Sequence, residues 1–301
     1  MAHSLFTATQ AAQATIASLR HLTVLPRTVR QDFSAEFVAG RGQTVNILGP
    51  ISAGEAKTYT KAQRTAREAI QFNDLVQNWI PLTLENQLYN AVRLPDDFNT
   101  FTLLDATRQV FKPQAESVVD QIAAPLLAEM SAIAAAPTDV VPQIKQDGSN
   151  FRQVLIQARR VLNARKVPAD GRFFAVGAAG EAAALSDTLL QKANESGTTE
   201  TLRNATIGRL FGFEIVADPA LAEDFGIAYH RDAFAHVTRP SKQPDGAAKS
   251  SVASQDGFAL RWIQHYNPLQ LEDQSVVDTF FGAKTLDAKR AVSVSVAAAG
   301  V

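Results

Sequence analysis

The longest stretch of helical periodicity in the chain covers residues 102–136. From Pro113 onward, apolar residues recur at intervals of three and four, which places them on one face of an α-helix. Pro113 suits the first turn of this helix. Pro125 should kink the helix without ending it, because the apolar pattern continues in register. The pattern predicts a long helix that lies on a sheet, with the other elements arranged around it.

Shorter elements are predicted before this helix. Residues 5–22 have the pattern of a short amphipathic helix, which forms an arm and ends at Pro26. Residues 44–47 and 80–84 alternate between apolar and polar side chains, as half-buried strands do. Pro81 restricts the second strand to a sheet edge or a bulge, because proline has no N–H to donate.

The segment between these two strands, residues 52–68, contains almost nothing apolar apart from small residues and Tyr59. A structureless loop of this length is unusual inside a compact domain. We therefore interpret the segment as the tip of an extended hairpin that leaves the body of the subunit. A two-stranded ribbon is only marginally stable by itself in water, so it should lie on a neighbouring subunit.

A compact α/β lobe is predicted after the long helix. A linker at 137–147 leads to a second amphipathic helix that starts at Phe151, with Ser149 or Asn150 as its cap. The elements that follow are a strand at 173–176, a helix at 181–193, and strands at 213–217 and 227–229. Glycine and proline turns separate them, as expected where short strands and helices alternate.

The last part of the chain returns to strand-like patterns. Residues 239–257 are predicted to be a polar link without a core. Strand alternation follows at Phe258, Leu260 and Trp262 and again in the segment 292–296. Because one face of the predicted sheet beneath the long helix still lacks apolar partners, we assign both of these late segments to that sheet.

The composition excludes several classes of protein. The 301 residues are 46% hydrophobic and 20% charged, which are ordinary values for a globular chain. The formal net charge of −1 argues against a protein that coats nucleic acid. The absence of cysteine excludes disulfides, thiolate metal sites and thiol catalysis. There is no apolar run of membrane-spanning length and no secretory signal pattern, so we expect a soluble protein that acts in the cytosol.

The strongest candidate for a cofactor motif is GAAGEAAAL at 177–185, a glycine turn between a strand and a helix. Such turns can bind phosphate through backbone amides. The third glycine of the dinucleotide fingerprint is missing, and no Lys-Ser or Lys-Thr pair follows, so we interpret the motif as an ordinary capped helix. We expect no cofactor.

No other cluster predicts catalysis or a metal site. The histidines are not spaced as zinc ligands, and no G-x-S-x-G motif occurs. Two acidic pairs next to turns are interpreted as solvated caps, and two basic or mixed clusters as solvated surface rather than anion sites. The histidines are His3, His21, His230, His236 and His265; the acidic pairs are Asp96-Asp97 and Glu272-Asp273; the clusters are His230-Arg231-Asp232 and Arg159-Arg160. We therefore assign no catalytic, cofactor-binding or metal residue.

Several segments, in this order, resemble the major capsid proteins of tailed bacteriophages with the HK97-like fold, in the group without an inserted extra domain. VLPRTVRQDFSAEFVAGRGQTVNILGP resembles the arm and first loop strand, IPLTLENQLYNAVRLPDDF the return strand before the long helix, and VPADGRFFAVGAAGEAAALSDTLL the central β-α unit. RNATIGRLFGFEIVADPAL, in which Gly208 and Gly212 bracket Leu210 and Phe211, and GIAYHRDAFAHVTRP resemble its later strands.

This resemblance implies an α+β fold with four parts. They are an N-terminal arm (1–34), an extended β-hairpin loop (35–80), a peripheral domain with a long spine helix and an antiparallel sheet (81–136 and 251–301), and a compact α/β axial domain (137–250). The implied function is a major capsid protein without catalysis. It self-assembles as pentamers and hexamers into an icosahedral head shell that encloses double-stranded DNA. Scaffolding, portal and decoration proteins are the implied partners, with no membrane. The implied location is the virion capsid, assembled in the bacterial host cytoplasm.

Two alternatives remain open from the sequence. An encapsulin-like cellular compartment would use the same fold to enclose enzymes. An α/β nucleotide-binding enzyme would use the glycine turn at 177–181. No lysine and asparagine are placed so as to suggest an isopeptide crosslink, and the near-neutral charge suits a shell that must release DNA.

Overall fold

The computed structural model describes residues 24–33, 42–49, 51, 54–75, 77–96, 112–133, 141–187, 208–246, 249–255 and 258–297. The described helices are α1 (Leu25–Thr28), α2 (Lys61–Ala66), α3 (Lys112–Ile122), α4 (Ala124–Ser131), α5 (Phe151–Ala164) and α6 (Ala178–Ser186). The strands are β1 (Thr44–Leu48), β2 (Trp79–Thr83), β3 (Asn86–Pro95), β4 (Arg172–Val176), β5 (Arg209–Leu210), β6 (Phe213–Ala217), β7 (Phe225–His230), β8 (Phe234–Arg239), β9 (Lys249–Gln255), β10 (Phe258–Asn267), β11 (Glu272–Thr285) and β12 (Ala291–Ser295). The predicted helix at 5–22 lies outside the described residues.

A mixed sheet with the strand order β12-β7-β4-β6-β5 forms one core of the subunit. Only β4 and β6 are parallel; the other neighbours are antiparallel. The apolar stripe of α5 covers one face of this sheet and is buried, as predicted; its members are Phe151, Val154, Leu155, Ala158, Val161 and Leu162. Phe174 of β4 lies between Phe151 and Phe213, with edge-to-face ring centroids 5.9 and 6.2 Å apart. This core confirms the predicted α/β lobe.

An antiparallel sheet with the order β3-β11-β10-β9 forms the second core, and β8 pairs with the far end of β11. Helix α3 covers one face, where Val118 and Ile122 pack with Phe258, Leu260 and Trp262. The predicted alternation in β10 is therefore confirmed, since these three aromatic and aliphatic side chains are buried. The opposite face of this sheet has no covering helix among the described residues.

The long predicted helix is divided at Pro125. Helix α3 ends at Ile122 and α4 begins at Ala124, and Ala123 between them keeps helical dihedral angles, so the helix is interrupted for one residue where we predicted a kink. Proline lacks the N–H that the preceding turn needs, and the helical ladder is interrupted at this point. None of the described helices is both long and apolar enough to span a bilayer. The predicted residues 102–111 and 134–136 lie outside the described part.

The two halves of this helix pack in different cores. Val118 and Ile122 of α3 lie on the antiparallel sheet, whereas Leu126 and Met130 of α4 are fully buried beside the mixed sheet. Glu129 of α4 fixes the second half to the end of β11. The break at Pro125 thus allows the two halves of the helix to pack in two different cores.

Glu129 binds β11 through both of its carboxylate oxygens. Oε1 lies 3.2 Å from Lys284 Nζ, and Oε2 accepts hydrogen bonds from the backbone N–H and the hydroxyl of Thr285. Burial opposes the charged form, but these hydrogen bonds and the Lys284 charge outweigh it and lower the pKa of Glu129.

Residues 24–33, here named the strap, lie in the body of the subunit, although the sequence assigned them to the arm. Leu25 and Val29 are fully buried next to the mixed sheet. Thr28 forms a short hydrogen bond with the buried Tyr229 hydroxyl. The carboxylate of Asp218 accepts backbone hydrogen bonds from Ala220 and Leu25, while burial raises its pKa. The strap is therefore part of the folded core.

Two expectations for the C-terminal part are wrong. Residues 249–255, predicted to be a link without structure, form the edge strand β9, which pairs with β10 through seven residues. Strand β12, with Val292 and Val294, joins β7 in the mixed sheet instead of the sheet beneath α3. Alternation specifies that one face of a strand is buried but does not specify which sheet it joins.

The start of α5 differs in one detail from the prediction. Asn150 occupies the N-cap position but its side chain does not cap the helix. Its amide instead accepts from the Lys145 N–H and donates to the Gln143 carbonyl, while Ser149 bonds to Asp147. Helix α6 starts at Ala178, three residues before the predicted start, and its predicted end lies outside the described residues.

Candidate interaction surface

The described residues between 42 and 84, here named the ribbon, contain the two strands predicted before the long helix. Strands β1 and β2 pair antiparallel from Thr44 opposite Thr83 to Leu48 opposite Trp79. Both predicted strands are confirmed. In a two-stranded sheet every strand is an edge, so Pro81, which lies opposite Asn46, is placed as predicted.

Only the base of the ribbon is anchored in a core. Ile47, Leu82 and Leu84 are buried and pack with residues from β8 and from the turn after β11. The partners are Phe33, Ala235, Val237 and Leu286. Beyond this cluster, from residue 54 to 75, no described residue is buried.

A short helix that the sequence analysis missed forms the ribbon tip. Thr60 caps α2 by accepting from the Gln63 N–H, and the Gln63 side chain accepts from the Thr60 N–H. This is a capping box, and its signature was readable as Thr60-Lys-Ala-Gln63. The helix ends at Arg67, which adopts the left-handed conformation with φ of 52°.

Tyr59 holds the two limbs of the ribbon tip together. Its hydroxyl lies 2.7 Å from the Glu68 carbonyl oxygen and 3.2 Å from that of Gln63. Lys57 and Asn73 add contacts across the limbs to Gln71 and to the Glu55 carbonyl. The tip thus has a defined local structure although it lies away from both cores.

Large apolar side chains along the ribbon are exposed. The exposed fractions are 60% for Ile70, 86% for Phe72, 58% for Leu75 and 56% for Trp79. Leu48 and Ile51 on the outgoing limb are also exposed. Four large apolar side chains are thus exposed within the ten-residue segment 70–79, and such a concentration favours an interaction site. The sequence predicted the polar segment 52–68 as the tip but did not predict this apolar surface on the return limb.

The charged residues of the ribbon form no ion pair with one another among the described residues. They are Glu55, Lys57, Lys61, Arg64, Arg67, Glu68 and Asp74, and all are exposed. Two of them, Lys61 and Arg64, are three residues apart within α2 and so point to one side of this helix. This side of the tip is basic and available to a partner.

A second apolar surface lies on the open face of the antiparallel sheet. Ala91, Val276 and Ile263 are direct neighbours across β3, β11 and β10 and point away from α3. Tyr89 on β3 and Val252 on β9 point to the same face and are exposed, but they belong to the next row, in which Asp278 and Arg261 form an ion pair between them. The open face therefore has an apolar strip that runs across the strands.

The glycine turn at 177–185 is a packing feature. Gly177 precedes α6, and a Cβ atom there would lie 2.1 Å from the Ala222 carbonyl oxygen. The glycine is therefore required by the close approach of another backbone segment. This agrees with our interpretation of the motif as an ordinary capped helix.

The histidines and acidic pairs are dispersed. No group of three potential metal ligands occurs among the described residues. His236 is fully buried, His265 is exposed on β10, and His3 and His21 lie outside the described residues.

Asp96 accepts a hydrogen bond from Tyr266; Asp97 lies outside the described residues. Glu272 is buried, unlike a solvated cap, and lies 3.7 Å from Arg93.

The two clusters considered as anion sites bind protein groups instead. Asp232 accepts from Arg290 at 3.2 Å, and its backbone N–H donates to His230 Nδ1. Burial lowers the pKa of His230, while Asp232 opposes this shift. Arg159 donates to the Phe211 carbonyl oxygen and Arg160 to the Gln157 side chain. These contacts explain the clusters without a ligand.

No protein-family model matches this chain, and no match is found among curated proteins. Solved structures are similar. A structure of Mycobacterium phage Che8 matches with a TM-score of 0.68 and 19% identity over 98% of this chain and 94% of that chain. The capsid of cyanophage P-SCSP1u matches with a TM-score of 0.59 and 12% identity, covering 85% and 84%. The mature capsid of bacteriophage PhiM1 matches with 0.59 and 11%, covering 87% and 84%.

At these identities the likeness establishes the fold alone. The chain has the mixed α/β fold of phage capsid proteins. The resemblance to phage major capsid proteins with the HK97-like fold, stated from the sequence, is confirmed at this level.

Proposed function

We propose that this chain is a major capsid protein, a structural subunit without catalysis that self-assembles into an icosahedral shell around phage double-stranded DNA. The fold similarity to phage capsids supports this proposal. The chemistry of the chain is consistent with it, because the candidate catalytic and ligand-binding motifs are explained by packing and by contacts within the protein.

The observation that carries the proposal is the exposed apolar surface of the ribbon. Phe72, Leu75 and Trp79 each expose more than half of their surface although two adequate cores exist elsewhere in the same subunit. Leaving such side chains in water costs about 1.5–3 kcal/mol each relative to full burial. A partner that covers the ribbon recovers this free energy. The simplest partner is another copy of the chain, because no second protein is then needed.

The open face of the antiparallel sheet is the surface on which we place the neighbouring ribbon. Its apolar strip through Ala91, Val276 and Ile263 lacks a covering helix in the described part of the subunit. A ribbon that leaves one subunit and lies on the next makes a head-to-tail contact, and such contacts close into rings. Rings of five and six subunits joined at their edges give a closed shell, in which every subunit gains from several weak contacts.

The four parts implied by the resemblance are retained in this proposal with adjusted limits. The arm covers residues before 24, because the strap is in the core. The hairpin loop at 35–80 contains the ribbon except its base at 81–84. The peripheral domain gains β8, and the axial domain, centred on residues 137–250, gains β12. Scaffolding, portal and decoration proteins are the proposed partners, in a virion assembled in the host cytoplasm.

Expression of the full chain, alone and with a scaffolding protein, tests the proposal by negative-stain electron microscopy. Closed shells are the expected result. A monodisperse monomer under all conditions, or a monomer that retains a nucleotide, would contradict it. Shells that contain a cellular enzyme in place of DNA would favour the encapsulin-like alternative, which uses the same contacts.

Crosslinking identifies the surfaces that meet. The chain contains no cysteine, so single-cysteine variants have no background. Shells assembled from a mixture of Leu75→Cys and Val276→Cys subunits should give covalent dimers with a flexible bis-maleimide. A mixture of Leu75→Cys with Ile156→Cys, which is exposed on α5, is the matched control and should give none. Equal yields in both mixtures would exclude the open sheet face as the contact.

A further inference from the structure

His236 is fully buried where the strap, the end of α3 and the antiparallel sheet meet. It lies on β8, and its backbone N–H donates to the Arg30 carbonyl oxygen of the strap at 2.9 Å. Its ring Nε2 lies 3.1 Å from the carbonyl oxygen of Ile122, the last residue of α3. The ring also packs beside Phe258 of β10, with centroids 6.2 Å apart. This residue thus contacts three parts of the fold, the end of α3 and β10 through its ring and the strap through its backbone.

The contacts define the protonation state of this ring. A carbonyl oxygen only accepts hydrogen bonds, so Nε2 carries the hydrogen and donates it to Ile122. The other nitrogen, Nδ1, is buried and has no hydrogen-bond partner among the described residues. Burial lowers the pKa of His236 to about 4, and the Ile122 hydrogen bond opposes this only partly. The imidazole is therefore neutral at neutral pH.

The groups around the imidazole cannot stabilise a second proton on the ring. Arg27 of the strap packs on the same Phe258 ring at 6.0 Å, and its buried Nε and Nη2 atoms find no hydrogen-bond partner in the part of the chain that the structure describes. On β11, Ala283 faces His236 in register, and the adjacent Lys284 pairs with Glu129. No carboxylate contacts the imidazole in the described part of the chain. A protonated ring would add an uncompensated buried charge beside a strap that already holds Arg27.

We propose that His236 is an acid-sensitive lock, which holds the strap and the end of α3 against the antiparallel sheet while its ring is neutral and opens this junction when it is protonated. This property belongs to the single subunit and goes beyond the role of the chain in a shell. Because the folded pKa lies below the ordinary value, the stabilising effect is complete above about pH 6.5 and is lost as the pH falls towards 4.

Unfolding by urea as a function of pH tests the lock. All measurements use the background variant Trp79→Phe, so that Trp262 is the fluorescent reporter. Trp262 is buried in the same cluster as Phe258. His236→Gln keeps a donor near the Nε2 position but cannot titrate. Between pH 7 and 4.5, the unfolding equilibrium constant should rise roughly fiftyfold more in the background protein than in His236→Gln. His265→Gln, on an exposed position of the same sheet, should behave like the background protein.

Equal pH dependence of the background protein and His236→Gln would overturn the proposal, and so would an equal loss of pH dependence in His265→Gln. If His236→Gln does not fold, an NMR titration of the histidine ring protons in the unmodified chain decides the question. The expected result is that His236 takes up a proton only as protection of its own amide N–H is lost. Protonation at pH 6 with that amide still protected would exclude the lock.

Discussion

Two regions of the subunit treat their apolar side chains differently. The mixed sheet and its helices bury them within the subunit, whereas the ribbon leaves them exposed. In the mixed sheet, Phe151, Phe174 and Phe213 are fully buried against one another within one subunit. In the ribbon, Phe72 and Trp79 are mostly exposed, and only the base is anchored. The first region is complete as a monomer, whereas the second lacks a partner. This difference indicates that folding and assembly depend on separate sets of residues.

The largest effect of a substitution is expected in the mixed-sheet region, which is fully packed within one subunit. Phe174→Ala should destabilise the subunit by about 3–5 kcal/mol, because it removes a large side chain from the centre of a closed aromatic cluster and leaves a cavity. The midpoint of urea unfolding, followed by circular dichroism, measures this loss. Ile156→Ala on the exposed side of α5 is the control and should change stability by less than about 0.5 kcal/mol.

A turn in the same region gives the next largest effect. Phe211 and Gly212, with φ of 47° and 84°, form the two-residue loop between β5 and β6. Positive φ at both positions is the type I′ geometry that suits a tight hairpin. Gly212→Val should therefore cost about 1–3 kcal/mol in the same assay. Gly246→Val, at a position where a Cβ atom meets nothing within 4 Å, should have little effect; an equal loss there would exclude backbone strain as the cause.

A smaller and purely local effect is expected at the ribbon tip. Thr60→Ala removes the capping box of α2 and should destabilise this helix by about 1 kcal/mol. Because α2 is not packed on either core, the urea midpoint of the subunit should stay unchanged. Hydrogen exchange of the amides of residues 63–66 should become faster in the variant. A shifted global midpoint would show that the tip is coupled to the core.

The smallest effect on stability, with a large effect on assembly, is expected for Phe72→Ser. The side chain is already in water, so the free energy of unfolding should change by less than about 0.5 kcal/mol. Shells should fail to form, as seen by sedimentation, because the anchor of the ribbon is lost. Ile156→Ser, also at an exposed apolar residue, should assemble normally. Normal assembly of Phe72→Ser would place the contact elsewhere.

The sequence predicted the complete region better than the ribbon. The α5 stripe and strand β6 follow from periodicity, because burial on one face requires it. The same periodicity could not assign β12 to its sheet or reveal β9, whose pattern KSSVASQ lacks large apolar residues. Pairing partners are set by the whole topology and not by the strand itself.

The ribbon was predicted as a hairpin but its important surface was missed. The segment 70–79 has no regular alternation, so nothing in its pattern showed that Ile70, Phe72 and Leu75 would all be exposed. The α2 helix was readable from its capping box. Exposure of apolar residues depends on where the chain lies relative to its cores, which only the structure provides.

We propose above all that another copy of the chain covers the ribbon in the assembled particle. The chain has two tryptophans, Trp79 exposed on the ribbon and Trp262 buried under α3. Iodide quenching of the unmodified protein therefore reports on Trp79 alone. We predict that the emission is quenched in free subunits and protected in intact shells. Equal quenching in free subunits and in intact shells would contradict the claim.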